Sequence, residues 1–246
     1  MGGINTIYRA MKKNTGKTVG INQRVPFDVL DRGIIRLLRT GIVEHKDIKQ
    51  DLSEYTKGKV RLSKATGYAF AILTRPLPLL KAISLMSEEK YLQIPLEERK
   101  VLIISLFAAT YPVAYELLVA LAKGFKTQTQ INRHFMQSKL GAIYGSNRTL
   151  DIAIDALIPM LIELGTIQRS KVSLYEIAPS HLILTPLITE SYIYTDIFLS
   201  GSKSILVEDL QTRPWYSYYP VEYVPTIHKR LLKFSEGRIG GGYISI

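Results

Sequence analysis

The chain contains no cysteine. That excludes thiolate zinc sites, iron–sulfur clusters, disulfides and cysteine nucleophiles. Histidine is scarce: His45, His134, His181 and His228 are dispersed, and none has a partner at metal-ligand spacing. Acids are under-represented, with 21 Asp and Glu against 32 Lys and Arg, a formal net charge of +11 over 246 residues. Such a balance favours a polyanionic partner, nucleic acid ahead of an anionic membrane. The missing thiols fit a cytoplasmic location. Residues 1–24 have no apolar h-region, so no secretory leader is expected.

Catalytic sets are missing as well. Thr15-Gly16-Lys17-Thr18 imitates the end of a phosphate loop, but Met11 stands where that loop needs glycine. Glu97-Glu98 and Glu208-Asp209 are adjacent pairs without a following catalytic lysine. No nuclease, methyltransferase or protease signature is present. The expectation is a non-enzymatic protein with no catalytic residue, no cofactor and no metal.

Apolar residues make up 46% of the chain, enough for a globular core. Residues 101–122 are the one stretch long enough to span a bilayer. They hold Pro112 and Glu116, and a central acid costs about 2.5–3.5 kcal/mol on a mild insertion scale. A buried core helix and no membrane partner are expected. Glu116 either pairs with a Lys or Arg or has its pKa raised by burial.

Hydrophobic periodicity predicts a mainly α fold. Val29, Leu30, Ile34, Ile35, Leu37 and Leu38 mark a helix over 26–39, closed by Gly41, with Arg32, Arg36 and Arg39 on its other side. A second helix over 44–55 ends at Gly58. Ser63 caps a third over 64–74, before Pro76 and Pro78. Three short helices with tight turns match a helix-turn-helix. A short helix starts at Ser87. Residues 97–123 form a long central helix, kinked at Pro112.

Thr127 or Thr129 then caps a helix through Gln137. Ser146 caps a helix over 147–164, ended by Gly165 and kinked or shortened at Pro159. Residues 166–168 and 172–177 alternate as strands around Arg169-Ser170-Lys171. Two helices, a capped helix and a basic hairpin follow the order of a winged helix-turn-helix. Residues 182–198 read as strand or helix. The expected architecture is helix-turn-helix and winged-helix units joined by a long central helix, with a short β-hairpin wing. Its segments are a flexible basic arm (1–24), a helix-turn-helix-like unit (25–86), the central helix plus winged unit (87–180) and a C-terminal extension rich in Tyr and Pro (181–246).

Two windows, 55–87 and 117–150, contain no acid. Each covers the turn and third-helix start of one helix-turn-helix, where a phosphate backbone would lie. The residues expected to contact nucleic acid are Lys57, Lys59, Arg61 and Lys64 in the first unit, and Arg133, Lys139, Ser146, Asn147, Arg148, Arg169 and Lys171 in the second. Arg148 either reads a guanine, pins a phosphate or is an ordinary helix-terminal Arg. Arg169 and Lys171 are placed at the wing tip. Asp151 and Asp155 argue against deep insertion of the helix that carries them. Trp215-Tyr216-Ser217-Tyr218-Tyr219, beside Arg213, could stack unpaired bases; closing a small core is the favoured reading.

Several stretches resemble the small BrxA-like proteins of bacteriophage-exclusion (BREX) defence islands. They are Glu97-Glu98-Arg99-Lys100 leading into residues 106–112, which end in Tyr111-Pro112, then Tyr115-Glu116-Leu117-Leu118-Val119, Ser146-Asn147-Arg148-Thr149-Leu150 and residues 161–167. The resemblance covers 26–188. It implies an N-terminal helical DNA-binding unit, a C-terminal winged-helix-like unit, and a double-stranded-DNA-binding accessory protein of phage defence that works with other protein components of that system. The alternative is a protein-interaction scaffold that uses a winged-helix fold without DNA.

Overall fold

A computed structural model describes residues 18–237 and 241–246. Most of the expected basic arm, including Thr15, Gly16 and Lys17, lies outside the described residues. Over 18–24 the chain is packed: Val19 and Ile21 are buried, and Arg24 pairs with Glu163 at 2.9 Å. The described residues form ten α-helices and two small antiparallel sheets, a mainly helical fold.

Helix α1 (Phe27–Thr40) follows its periodicity, burying Val29, Leu30 and Ile34, and Gly41 closes it at φ +76°. Helix α2 (His45–Ser53) buries Ile48 and Leu52. Helix α3 (Lys59–Ile72) starts five residues before the expected Lys64. Gly58 does not stop α2. It is the extended N-cap of α3, and its carbonyl accepts the Leu62 N–H at 2.8 Å. Ser63 therefore lies inside α3 rather than capping it. Helix α4 (Leu77–Ser84) carries Pro78 in its first turn. Helix α5 (Glu88–Leu92) is capped by Ser87, whose Oγ accepts the Lys90 N–H.

The single kinked helix expected over 97–123 is two helices, α6 (Leu96–Thr110) and α7 (Pro112–Phe125), bent by 115°. Pro112 disfavours the helical conformation at Tyr111, which sits at φ −125°, ψ 88°. Proline also lacks the N–H that would continue α6, so it begins α7 instead. Among the described residues no single helix is long and apolar enough to cross a membrane. Helix α6 buries every residue from Val101 to Ala108. It packs against α1, α3 and α7, so it is the centre of the core. Glu116 on α7 is half-buried.

Next come β1 (Ile131–Asn132), α8 (Arg133–Tyr144), α9 (Arg148–Glu163), β2 (Ile167–Lys171) and β3 (Leu174–Ile177). Neither Thr127 nor Thr129 caps α8. Ile131 is taken into β1 opposite Tyr175, and Asn132 becomes the cap, its Oδ1 accepting the Phe135 N–H at 2.8 Å. Ser146 does not cap α9 either: Asn147 Oδ1 accepts the Leu150 N–H at 3.1 Å. Helix α9 continues through Pro159 to Glu163, and Gly165 follows at φ +76°. The three strands are antiparallel in the order β1–β3–β2.

Residues 182–198, undecided between strand and helix, enter α10 (Pro186–Ser200), which lies along α6. A second antiparallel sheet, ordered β4 (Ser204–Leu206), β6 (Gly242–Ser245), β5 (Lys233–Glu236), closes the C-terminal part. Trp215 and the tyrosines around it are buried, and Trp215, Tyr218 and Tyr219 spend their polar atoms internally. Tyr218 Oη donates to the Leu118 carbonyl at 2.7 Å, and Tyr219 Oη donates to the Leu164 carbonyl at 3.0 Å. Arg213 is held by buried Asp196, its Nε donating to Oδ2 at 2.6 Å. This cluster closes a core and leaves no ring face for unpaired bases.

Candidate nucleic-acid interface

The arginines of α1 belong to the fold. Arg32 and Arg36 both reach Asp51 of α2, and Arg39 pairs with Glu88. Hydrogen bonding to Asp51 holds the Arg36 guanidinium above its ordinary pKa. Arg99 of α6 donates to buried Asp31 at 2.7 Å, beside the Tyr91 hydroxyl. These cations are neutralised where they stand and add little to an outward field.

The α2–α3 turn is different. Lys57, Lys59 and Arg61 are exposed and, among the described residues, form no ion pair. Together with Tyr55, Thr56, Gly58 and Val60 they line a cleft of about 560 Å³ with no carboxylate in its wall. The first turn of α3 has no acid, and no side chain caps its N–H groups. The helix dipole and its free N–H donors add to the positive potential of the cleft. Val60 is 69% exposed in that same turn, an apolar side chain held out beside three cations. Lys64 lies one turn further along α3 and lines a separate cleft with Ser63 and Arg75.

In the second unit the expected residues divide. Arg133, at the start of α8, is spent on α9: its Nε donates to Asp155 Oδ1 at 2.8 Å, and a terminal nitrogen donates to the Asp151 carbonyl at 3.2 Å. Gln137 Nε2 donates to the Asp151 carboxylate at 2.5 Å. The acids of α9 are thus partly answered from α8. Asn147 is occupied as the α9 cap, while Ser146 is exposed and Arg148 is exposed at the first residue of α9. Lys139 is exposed, its ammonium 5.3 Å from the Phe135 ring.

Arg169 and Lys171 are not at the hairpin tip. They belong to β2, with an irregularity in register between them, and Val172-Ser173 makes the turn, Ser173 at φ +61°. The Arg169 guanidinium sits 5.7 Å from the Tyr175 ring, and Lys171 is exposed. Of the cations expected to contact nucleic acid in this unit, Lys139 on α8, Arg148 at the α9 start, and Arg169 and Lys171 on the wing strand form no ion pair among the described residues, while Arg133 does.

The expected contacts included neither Val60 nor Arg75. Arg75 lies within the acid-free window, which was the signal for it. Val60 had none, since the expected helix began at Lys64 and left Val60 in the turn before it. Among the described residues no group of three or more His, Asp or Glu is placed to hold a metal ion. Comparison with protein-family models, characterised proteins and solved structures finds no match.

Proposed function

We propose that the chain binds double-stranded DNA without catalysing a reaction, with the α2–α3 turn seated on the phosphate backbone. The observation that carries this is the division of the cations. The α1 arginines are all paired with carboxylates, while Lys57, Lys59 and Arg61 around one cleft form no ion pair among the described residues. Unpaired cations release counterions when they meet phosphates, which drives binding. In a helix-turn-helix the first turn of the second helix faces base edges, and exposed Val60 there can meet a thymine methyl.

The second unit supports the same reading. Its order, α7–β1–α8–α9–β2–β3 with strands β1–β3–β2, agrees with a winged helix. Arg148 at the α9 start and Arg169 and Lys171 on the wing would supply phosphate contacts. The setting proposed with it is that of an accessory factor in phage defence, the role the BrxA-like resemblance implies. A protein-binding use of the α8–α9 face is the second reading. It is favoured by the loss of Arg133 to Asp155 and of Asn147 to cap duty. The test is duplex titration of the wild type, Lys57→Ala/Lys59→Ala/Arg61→Ala and Arg148→Ala/Arg169→Ala/Lys171→Ala. Both triple variants should bind more weakly with unchanged melting. Unchanged affinity in both would leave the scaffold reading.

A further inference from the structure

A second cleft, of about 520 Å³, opens where residues 18–20, α3 and the α6–α7 elbow meet. Its walls carry two cations, Lys64 and Arg75, and neither forms an ion pair among the described residues. Thr18 and Ser63 add hydroxyls, Thr110 is turned back to donate to the Leu106 carbonyl at 2.8 Å, and no carboxylate lines the cleft. Two tyrosines make its aromatic wall: Tyr68 and Tyr111 meet edge to face with ring centroids 5.7 Å apart. Tyr68 is fixed by donating its Oη hydrogen to Asn22 Oδ1 at 2.8 Å. Burial raises the Tyr111 hydroxyl to about 12, with the nearby Arg75 charge pulling the other way, so the phenol keeps its proton at neutral pH.

The fold keeps this space open. The elbow exists because Pro112 breaks α6 from α7, which sets the α7 N-terminus at the cleft wall. Gly20, at φ +75°, lets the backbone pass the Tyr111 ring, since a Cβ there would lie 3.3 Å from Cδ1. Gly67 lines the cleft from α3, and a Cβ on it would meet nothing within 4 Å. Two unpaired cations, hydroxyl donors and an aromatic wall suit a phosphate on a flat organic body.

We propose that this cleft binds a phosphomonoester of mononucleotide size, with Lys64 and Arg75 on the phosphate and Tyr68 and Tyr111 against the base. The phosphate can come from a free nucleotide or from the 5′ end of a nucleic-acid strand. The site is separate from the α2–α3 cleft, so a failure of duplex binding leaves it standing.

The test is calorimetric titration of the full chain with adenosine 5′-monophosphate, adenosine and inorganic phosphate. Adenosine 5′-monophosphate should bind, adenosine should not, and inorganic phosphate should compete. Arg75→Ala should weaken binding by about tenfold or more, as removal of a charge-assisted hydrogen bond predicts. Gly67→Leu should fill the cleft and abolish binding while the protein melts no lower, because the new side chain enters open space on a helix. An oligonucleotide duplex with 5′-phosphate that displaces the nucleotide, when its 5′-hydroxyl counterpart does not, identifies the strand end as the source. A free nucleotide is the source if neither displaces it. No binding of the monophosphate, or equal binding by Gly67→Leu, overturns the proposal.

Discussion

Trp215 and Tyr192 exchange hydrogen bonds: Trp215 Nε1 donates to the Tyr192 carbonyl at 3.1 Å, and Tyr192 Oη donates to the Trp215 carbonyl at 2.6 Å. Their rings stack with centroids 4.7 Å apart. Both are fully buried, and the pair ties the C-terminal part to α10. Trp215 is the only tryptophan, so its fluorescence reports this one place.

Trp215→Phe keeps most of the packing but removes the indole donor, leaving the Tyr192 carbonyl with its intrahelical partner alone. The lost hydrogen bond costs about 0.5–1.5 kcal/mol, and the smaller ring adds a cavity to that cost. Urea unfolding followed by circular dichroism should show a lower midpoint at an unchanged slope. Stability equal to the wild type would mean that the exchange contributes nothing.

The start of α9 is set by one side chain. Asn147→Ala should cost about 1 kcal/mol, the usual penalty when an N-cap is removed. Ser146→Ala should cost no cap energy, because its hydroxyl caps nothing. Thermal melts of the two variants decide between them. A larger drop at Ser146 would move the helix start back by one residue.

His228 is buried, and its Nδ1 accepts the Val224 N–H at 2.9 Å. Burial lowers its pKa below 6.5, outweighing the charges of Glu190 and Glu222, which pull it up. The neutral ring therefore belongs to the folded state. A lowered folded pKa gives stability that is present above the unfolded value and lost as the pH falls from there through the folded value. Melting temperature should drop as the pH is taken from above 6.5 to below it. His228→Gln should show a shallower drop over that window. Identical pH slopes would remove His228 from the acid response.

Much of this was legible locally. The α1 and α9 faces, the Ser87 cap, and the αL glycines Gly41 and Gly165 all follow from spacing and cap chemistry. What was not legible depended on distant partners. Ile131 joins β1 only because Tyr175 lies opposite, more than forty residues on, and that pairing moved the α8 cap from a threonine to Asn132. Helix α10 showed no period because residues Leu187 to Ile197 are buried on every side, so no polar face existed to mark it. Ser63 looked like a cap because serine favours that role, while the helix is capped at Gly58 and starts at Lys59, five residues before the expected Lys64. In the candidate interface, sequence order located the basic turns. It could not tell paired cations from free ones: Arg133 and Arg148 look alike in the chain, and only the fold sets Asp155 against the first.

The central claim rests on Lys57, Lys59 and Arg61, and one measurement addresses it directly. A mixed-sequence duplex is titrated with the wild type and with Lys57→Ala/Lys59→Ala/Arg61→Ala at several salt concentrations. The wild type should bind with steep salt dependence. The variant's slope should be shallower by about 0.9 for each phosphate it no longer neutralises. Equal slopes for the two proteins, or no duplex binding by the wild type at low salt, would contradict the account.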